Sequence, residues 1–149
     1  MEKKALFSGT FDPFTIGHYS LIKRALHFTG EIVIAIGVNY EKKTFYSLEE
    51  RIHTIQQIYA KEQRVKVMSY DILTVDLAKE IKADFLLRGV RNIYDFEYEK
   101  NLADINRKLA NMETIILISE PEYEHVSSSL IRELIYYKKD ISHLIPIIK

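Results

Sequence analysis

Short, nearly continuous apolar runs alternate along the chain with longer stretches in which apolar residues recur every three or four positions. The first pattern suits a strand buried on both faces, and the second suits a helix with one face on a core. Residues 4–7 read as a strand. Residues 18–28 read as a helix that aligns Leu21, Ile22, Ala25 and Leu26 and stops at Gly30. The run EIVIAIGV, 31–38, is a buried strand, and Ser47 with Glu50 three positions on is a capping-box pattern that opens a helix to about residue 60. A strand at 64–68, a helix at 73–82, a strand at 84–87, a helix at 93–109, a strand at 114–118 and a helix at 127–137 complete the series. Five β-α alternations with such strands predict an α/β architecture: a five-stranded parallel sheet, doubly wound and Rossmann-like, with helices on both faces. No repeat, low-complexity segment or linker interrupts the series, so residues 1–149 are expected to form a single domain.

Composition narrows the function classes. Lysine plus arginine number 21, equal to aspartate plus glutamate at 21, and this balance argues against a nucleic-acid partner. Any anion site must then be a local concentration of positive charge. There is no cysteine, which excludes thiolate nucleophiles and cysteine-ligated metals. No apolar run approaches the ~20 residues of a membrane span, and the N-terminus lacks the apolar stretch of a signal peptide. A cytoplasmic protein without a membrane partner is expected.

In open parallel sheets, ligands bind beyond the carboxyl ends of the strands. The chemically unusual segments of this chain all follow predicted strands. SGTFDPFTIGH, Ser8 to His18, follows the first. Gly9 allows close approach of backbone to a ligand, Thr10 adds a hydroxyl beside Phe11, and Asp12-Pro13 makes a turn. Gly17-His18 then opens a helix, where free N–H groups favour an anion. Lys42 and Lys43 follow the second strand, as mobile point charges or as parts of a solvated loop. After the fourth come Arg88, Gly89, Val90 and Arg91: two guanidinium forks that could converge on anionic oxygens or pair with Asp95, Glu97 and Glu99. After the fifth come Tyr123, Glu124, His125, Val126, Ser127, Ser128 and Ser129, where three hydroxyls meet a helix N-terminus. One serine would suffice for a cap; three favour a phosphate site.

GTFDP…TIGH resembles the GTFDP…TNGH signature of nucleotidyltransferases. The string RGVRNIYDFEYEKNLADINR and the string VSSSLIRE resemble segments of one branch, the phosphopantetheine adenylyltransferases, and the likeness covers essentially the whole chain. Ser8 stands where that family usually has proline, and Ile16 where it usually has asparagine. The resemblance implies transfer of the adenylyl group of ATP to 4′-phosphopantetheine, giving dephospho-coenzyme A and pyrophosphate. It implies a catalytic set of His18, as transition-state stabiliser, with Lys42 and Arg91. It assigns Thr10, Phe11, His18, Gly89, Val90, Arg91, Glu99 and the segment Tyr123 to Ser129 to ATP. It assigns Thr10, Lys42, Arg88, Asn106 and the backbone at Thr74 to phosphopantetheine, makes Asp95 a supporting residue, and leaves Phe96 and Tyr98 to the core or an interface. It also implies a homohexamer.

The acceptor phosphate of that reaction is already an anionic nucleophile. It needs neither a general base nor a covalent intermediate; the difficulty is to bring two polyanions together in line. Mg²⁺ is expected to enter with ATP, because no loop offers a dedicated carboxylate cage, and no protein-held metal is expected. Two alternatives remain at this point. A pyridine-nucleotide adenylyltransferase or alcohol-phosphate cytidylyltransferase would share GTFDP and Gly-His but not DFEYE, and a non-catalytic nucleotide-binding module would have lost some of the cationic groups.

Overall fold

The structure, a computed structural model, describes residues 2–148. Five parallel strands form one sheet in the order β3-β2-β1-β4-β5: β1 Lys4–Gly9, β2 Glu31–Gly37, β3 Val65–Tyr70, β4 Phe85–Val90 and β5 Thr114–Ile118. The chain leaves the central strand β1 in one direction to build β2 and β3, then crosses back to build β4 and β5. The break in strand order between β1 and β4 is the switch point at which a crevice opens.

The helices are α1 Ile16–Ala25, α2 Leu48–Ile58, α3 Thr74–Glu80, α4 Ile93–Ala110 and α5 Ser128–Tyr136, with a short 3₁₀ turn at Pro121–Tyr123. Alternation along each strand divides the core between the two sheet faces. Ala5, Phe7, Ile32, Ile34, Ile36, Phe85 and Leu87 pack with Leu21, Ile22, Ala25 and Ile55 of α1 and α2. Leu6, Val33, Ala35 and Leu86 pack with Val75, Leu77 and Ala78 of α3 and with Met112. A satellite cluster of Val126, Ile131 and Leu144 seats α5 and the final segment against Ile16. The alternating pattern therefore reports the architecture correctly, and five strands and five helices lie where apolar periodicity puts them.

The differences lie at boundaries, and three of them matter for the site. First, β4 runs on to Val90, so Arg88 and Gly89 are strand residues rather than loop residues. Arg88 shares the face of Leu86, whereas a side chain at Gly89 would point the other way, at α1. Second, α1 begins at Ile16, two residues before His18, because Thr15 caps it. Third, α5 begins at Ser128, with Ser127 as its cap.

Candidate active site

Two clefts open at the carboxyl rim of the sheet. The first, of about 470 Å³, is walled by the β1–α1 turn, the end of β4, and the start of α5. The second, of about 520 Å³, runs down the opposite sheet face between α3 and α4. They share five residues: Ser8, Gly9, Thr10, Lys42 and Arg88. Two ligands lying in the two clefts would thus meet over the end of β1, beside Arg88.

His18 lines the first cleft and its state is fixed by its neighbours. The Thr15 amide donates to His18 Nδ1 at 2.9 Å, and the His18 amide donates to Thr15 Oγ1 at 3.2 Å. This is a reciprocal capping box with histidine in the place usually taken by glutamate. Because Nδ1 accepts, the proton of the neutral ring sits on Nε2. Phe7, Phe11 and Phe14 surround the imidazole with ring centroids 6.1, 5.0 and 5.2 Å away. Burial in this aromatic cage, together with the Arg88 and Arg91 charges, lowers the His18 pKa to about 3. At neutral pH, His18 is therefore an uncharged Nε2–H donor. The imidazole supplies a hydrogen bond to the cleft, and the positive charge comes from the arginines and lysines.

Arg88 makes the pairing that the sequence allowed and lines both clefts as well. Its Nε and one terminal nitrogen donate to the two carboxylate oxygens of Glu99, each at 2.8 Å, and its other terminal nitrogen donates to the Ser8 carbonyl. Burial alone would lower its pKa, but the fork-to-fork pair with Glu99 raises it, so the guanidinium stays charged and immobile. Glu99, expected on the nucleotide, lines the second cleft instead, with both oxygens committed to Arg88. The reason is the strand boundary: Arg88 points to the face that α4 covers, and Glu99 is the one buried residue of α4. Arg91 donates from both its amide and its Nε to Asp95, at 3.0 and 3.1 Å, and lines the first cleft.

Of the residues expected on the nucleotide, Thr10, Phe11, His18, Gly89, Val90, Arg91, Tyr123, Val126, Ser127, Ser128 and Ser129 all line the first cleft. Glu124 and His125 do not; they are exposed on the turn that leads into α5. Ser127 Oγ is occupied as a cap, accepting from the Leu130 amide at 3.0 Å, while Ser128 Oγ donates to the Pro13 carbonyl and ties α5 to the β1–α1 turn. Of those expected on the acceptor, Thr10, Lys42, Thr74, Arg88 and Asn106 all line the second cleft. The Thr74 hydroxyl meets that of Tyr70 at 3.0 Å.

Sequence reasoning missed Arg132, which lines the first cleft and donates to the Asp12 carbonyl at 2.8 Å and to Ser129 Oγ at 3.1 Å. Its spacing of three from Ser129 on one helix was the available signal. Lys43, to which the resemblance assigns no ligand, also lines the first cleft, and so does Ser119. Among the described residues, no group of three or more histidines, aspartates or glutamates converges as a metal site would require.

The sequence pattern of the cytidylyltransferase-like family matches residues 6–134. Phosphopantetheine adenylyltransferase of Bacteroides thetaiotaomicron is 56% identical over 97% of this chain and 95% of its own length. The enzymes of the same name from Bacteroides fragilis and Flavobacterium psychrophilum are 54% and 48% identical over the same share of this chain. Among solved structures, a bifunctional NMN adenylyltransferase/ADP ribose pyrophosphatase from Francisella tularensis, complexed with AMP and a manganese ion, superposes with a TM-score of 0.72. It is 16% identical and the match covers 97% of this chain and 44% of that one, a likeness of fold. Identity at this level along nearly the whole length, with two clefts meeting at the switch point of the sheet, means that the chain belongs to the phosphopantetheine adenylyltransferases of the cytidylyltransferase-like family.

Proposed function

We propose that the chain transfers the adenylyl group of ATP to 4′-phosphopantetheine, releasing pyrophosphate and giving dephospho-coenzyme A, with ATP in the first cleft and the acceptor in the second. The observation that carries this reading is the floor shared by the two clefts: Ser8, Gly9, Thr10, Lys42 and Arg88. A phosphate arriving from one side and a triphosphate from the other would approach each other there. An oxygen of the acceptor phosphate attacks the α-phosphorus of ATP, the bond from that phosphorus to the bridging oxygen breaks, and the electron pair leaves with pyrophosphate. No enzyme group forms a bond in this step.

The chain's contribution is then placement and charge. Thr10, Lys42 and Arg88 hold the acceptor phosphate; Arg91 with Ser128 and Ser129 holds the triphosphate. His18 donates its Nε2–H to the crowded equatorial oxygens in the transition state. A fixed N–H donor suits that role because its interaction strengthens as charge develops on the oxygens. Magnesium bound to ATP would neutralise part of the charge on the phosphate oxygens. The groove between α3 and α4, lined by Leu73, Leu102, Ala103 and Asn106, has the mixed polarity that suits a pantetheine arm.

A site that consumes ATP supports a cytoplasmic location; separately, no helix among the described residues is long and apolar enough to cross a membrane. The partners are these two small molecules and further copies of the chain. Ile93, Tyr94, Phe96, Tyr98, Ile105 and Leu109 of α4 are exposed, and apolar area of this kind along one helix fits a self-association surface; with the family likeness, we propose a homohexamer. Light scattering coupled to size exclusion measures its mass. The enzymatic reading is tested by pyrophosphate release from ATP with 4′-phosphopantetheine, against nicotinamide mononucleotide and glycerol phosphate. Turnover only with the pantetheine substrate supports it, whereas turnover with either control, or ATP binding without turnover, overturns it.

A further inference from the structure

Lys42 sits on the loop that joins β2 to α2, and its side chain makes no hydrogen bond or ion pair among the described residues. Most of the loop is exposed, and between Asn39 and Thr44 its bonds are internal: the Glu41 amide donates to Asn39 Oδ1 and the Lys42 amide to the Asn39 carbonyl. Such a segment does not by itself hold a cation at a fixed point above a reacting phosphate.

What fixes the loop lies on its far side. The Phe45 amide donates to Asp12 Oδ2 at 2.7 Å and the Tyr46 amide to Asp12 Oδ1 at 2.8 Å. Asp12 is 4% exposed and faces no ion-pair partner among the described residues; two backbone N–H groups of the loop receive its charge. Arg51, 6% exposed on α2, completes the attachment. Its Nε donates to the Tyr46 and Ser47 carbonyls at 3.2 and 3.3 Å, and a terminal nitrogen donates to the Thr10 carbonyl at 2.9 Å. Thr10 and Asp12 lie in one turn, and Lys42 and Tyr46 in one loop. The two buried side chains therefore fasten the Thr10 turn to the Lys42 loop from both ends, across more than thirty residues of sequence.

We propose that Asp12 and Arg51 are positioning residues, a two-point latch that sets the Lys42 ammonium at a fixed distance from Thr10 at the junction of the two clefts. The chemistry explains why an aspartate is needed. Two acceptors must face two amide donors, and asparagine would turn an N–H₂ group onto one of them, leaving a single bond. Glutamate would place its oxygens one methylene too far along.

This inference rests on the role proposed for Lys42, and the experiment separates the two. Pyrophosphate release is measured for the full-length chain and for Asp12→Asn, Lys42→Ala and their combination, with unfolding followed in parallel. Amide hydrogen exchange is read at Phe45 and Tyr46. The expected result for Asp12→Asn is a fall in kcat of about 10- to 100-fold with KM for ATP changed by less than about 3-fold, since a displacement of about an ångström in a positioned group has that effect. Exchange at Phe45 and Tyr46 should rise about 10-fold or more. In the Lys42→Ala background, the same substitution should cost less than about 3-fold, because residues acting through one another are not additive. Losses that multiply in the double variant, or wild-type kcat in Asp12→Asn, would overturn the latch. Full turnover in Lys42→Ala would overturn the role of Lys42, and with it the purpose of the latch, while faster exchange at the two amides would still identify the attachment. Should Asp12→Asn fail to fold, Arg51→Lys carries the test: it keeps the charge, loses the fork, and should show the same dependence on Lys42.

Discussion

Replacing His18 with alanine should alter two quantities whose sizes follow from its surroundings. The first is turnover. Loss of a single preorganised donor to transition-state charge lowers kcat by about 10²- to 10³-fold. The second is the pH dependence of stability. The aromatic cage and the two arginines hold His18 at about 3 in the folded protein, against about 6.5 in an unfolded chain. Between those values the unfolded chain binds a proton that the native ring refuses. Stability associated with this residue is therefore unchanged above about pH 6.5, declines as pH falls below it, and levels off near pH 3. At pH 4.5, the loss relative to pH 8 is about 3 kcal/mol, two pH units at the linkage slope. Alanine has no such proton to bind, so the difference in unfolding free energy between wild type and His18→Ala should move by about that amount in favour of the variant. Urea unfolding followed by circular dichroism at pH 8 and pH 4.5 measures it, and the other four histidines cancel in the difference. Nitrogen NMR of the ring should show the Nε2–H form throughout pH 5 to 9. A ring that titrates near 6.5, or a stability difference that stays constant with pH, would refute the neutral-donor argument. Near-normal turnover in a folded variant would remove His18 from the chemistry altogether.

Three other substitutions test the packing around the site. Glu99→Gln leaves the Arg88 fork with a half-matched partner in a buried position and should cost about 2–4 kcal/mol in urea unfolding, with KM for the acceptor rising more than KM for ATP. Gly89→Ala drives a methyl carbon into Leu21 Cδ1 and should destabilise by about 1–3 kcal/mol; the double variant with Leu21→Ala should lose less than the two single losses together. Ser127→Ala removes the hydroxyl that accepts from the Leu130 amide, so a drop of about 1 kcal/mol in thermal or urea unfolding is expected, together with weaker ATP binding.

The sheet and its helices were legible because burial on two faces leaves a continuous apolar run and burial on one face leaves a helical period; both signals are written in consecutive residues. The division of these residues between two clefts was legible only through family likeness, since nothing local says that Thr74 and Asn106 belong to one cleft while Val90 and Tyr123 belong to the other. Two features were hidden for physical reasons. The side on which Arg88 emerges depends on where β4 ends, and strand ends are set by pairing with β5 rather than by composition. Glu99, expected on the nucleotide, consequently lines the second cleft beside Arg88. The protonation of His18 depends on a cage assembled from residues 7, 11 and 14 and from arginines seventy residues away, which no spacing rule connects. Arg132 was visible in its string but had no stated task until α5 was folded back onto the Asp12 carbonyl.

The two clefts lie on opposite faces of the same sheet and touch only at its rim. Separate helices line their outer reaches, α3 and α4 for one and α5 with the start of α1 for the other. With ATP and the acceptor in the clefts proposed for them, substrate choice is modular. Remodelling the α3–α4 groove would redirect the adenylyl group to a different phosphorylated alcohol while leaving nucleotide handling undisturbed, and the converse change at α5 would exchange the donor base. A scaffold divided in this way lets new acceptors be tried by altering a few side chains on one helix pair, without rebuilding the catalytic junction.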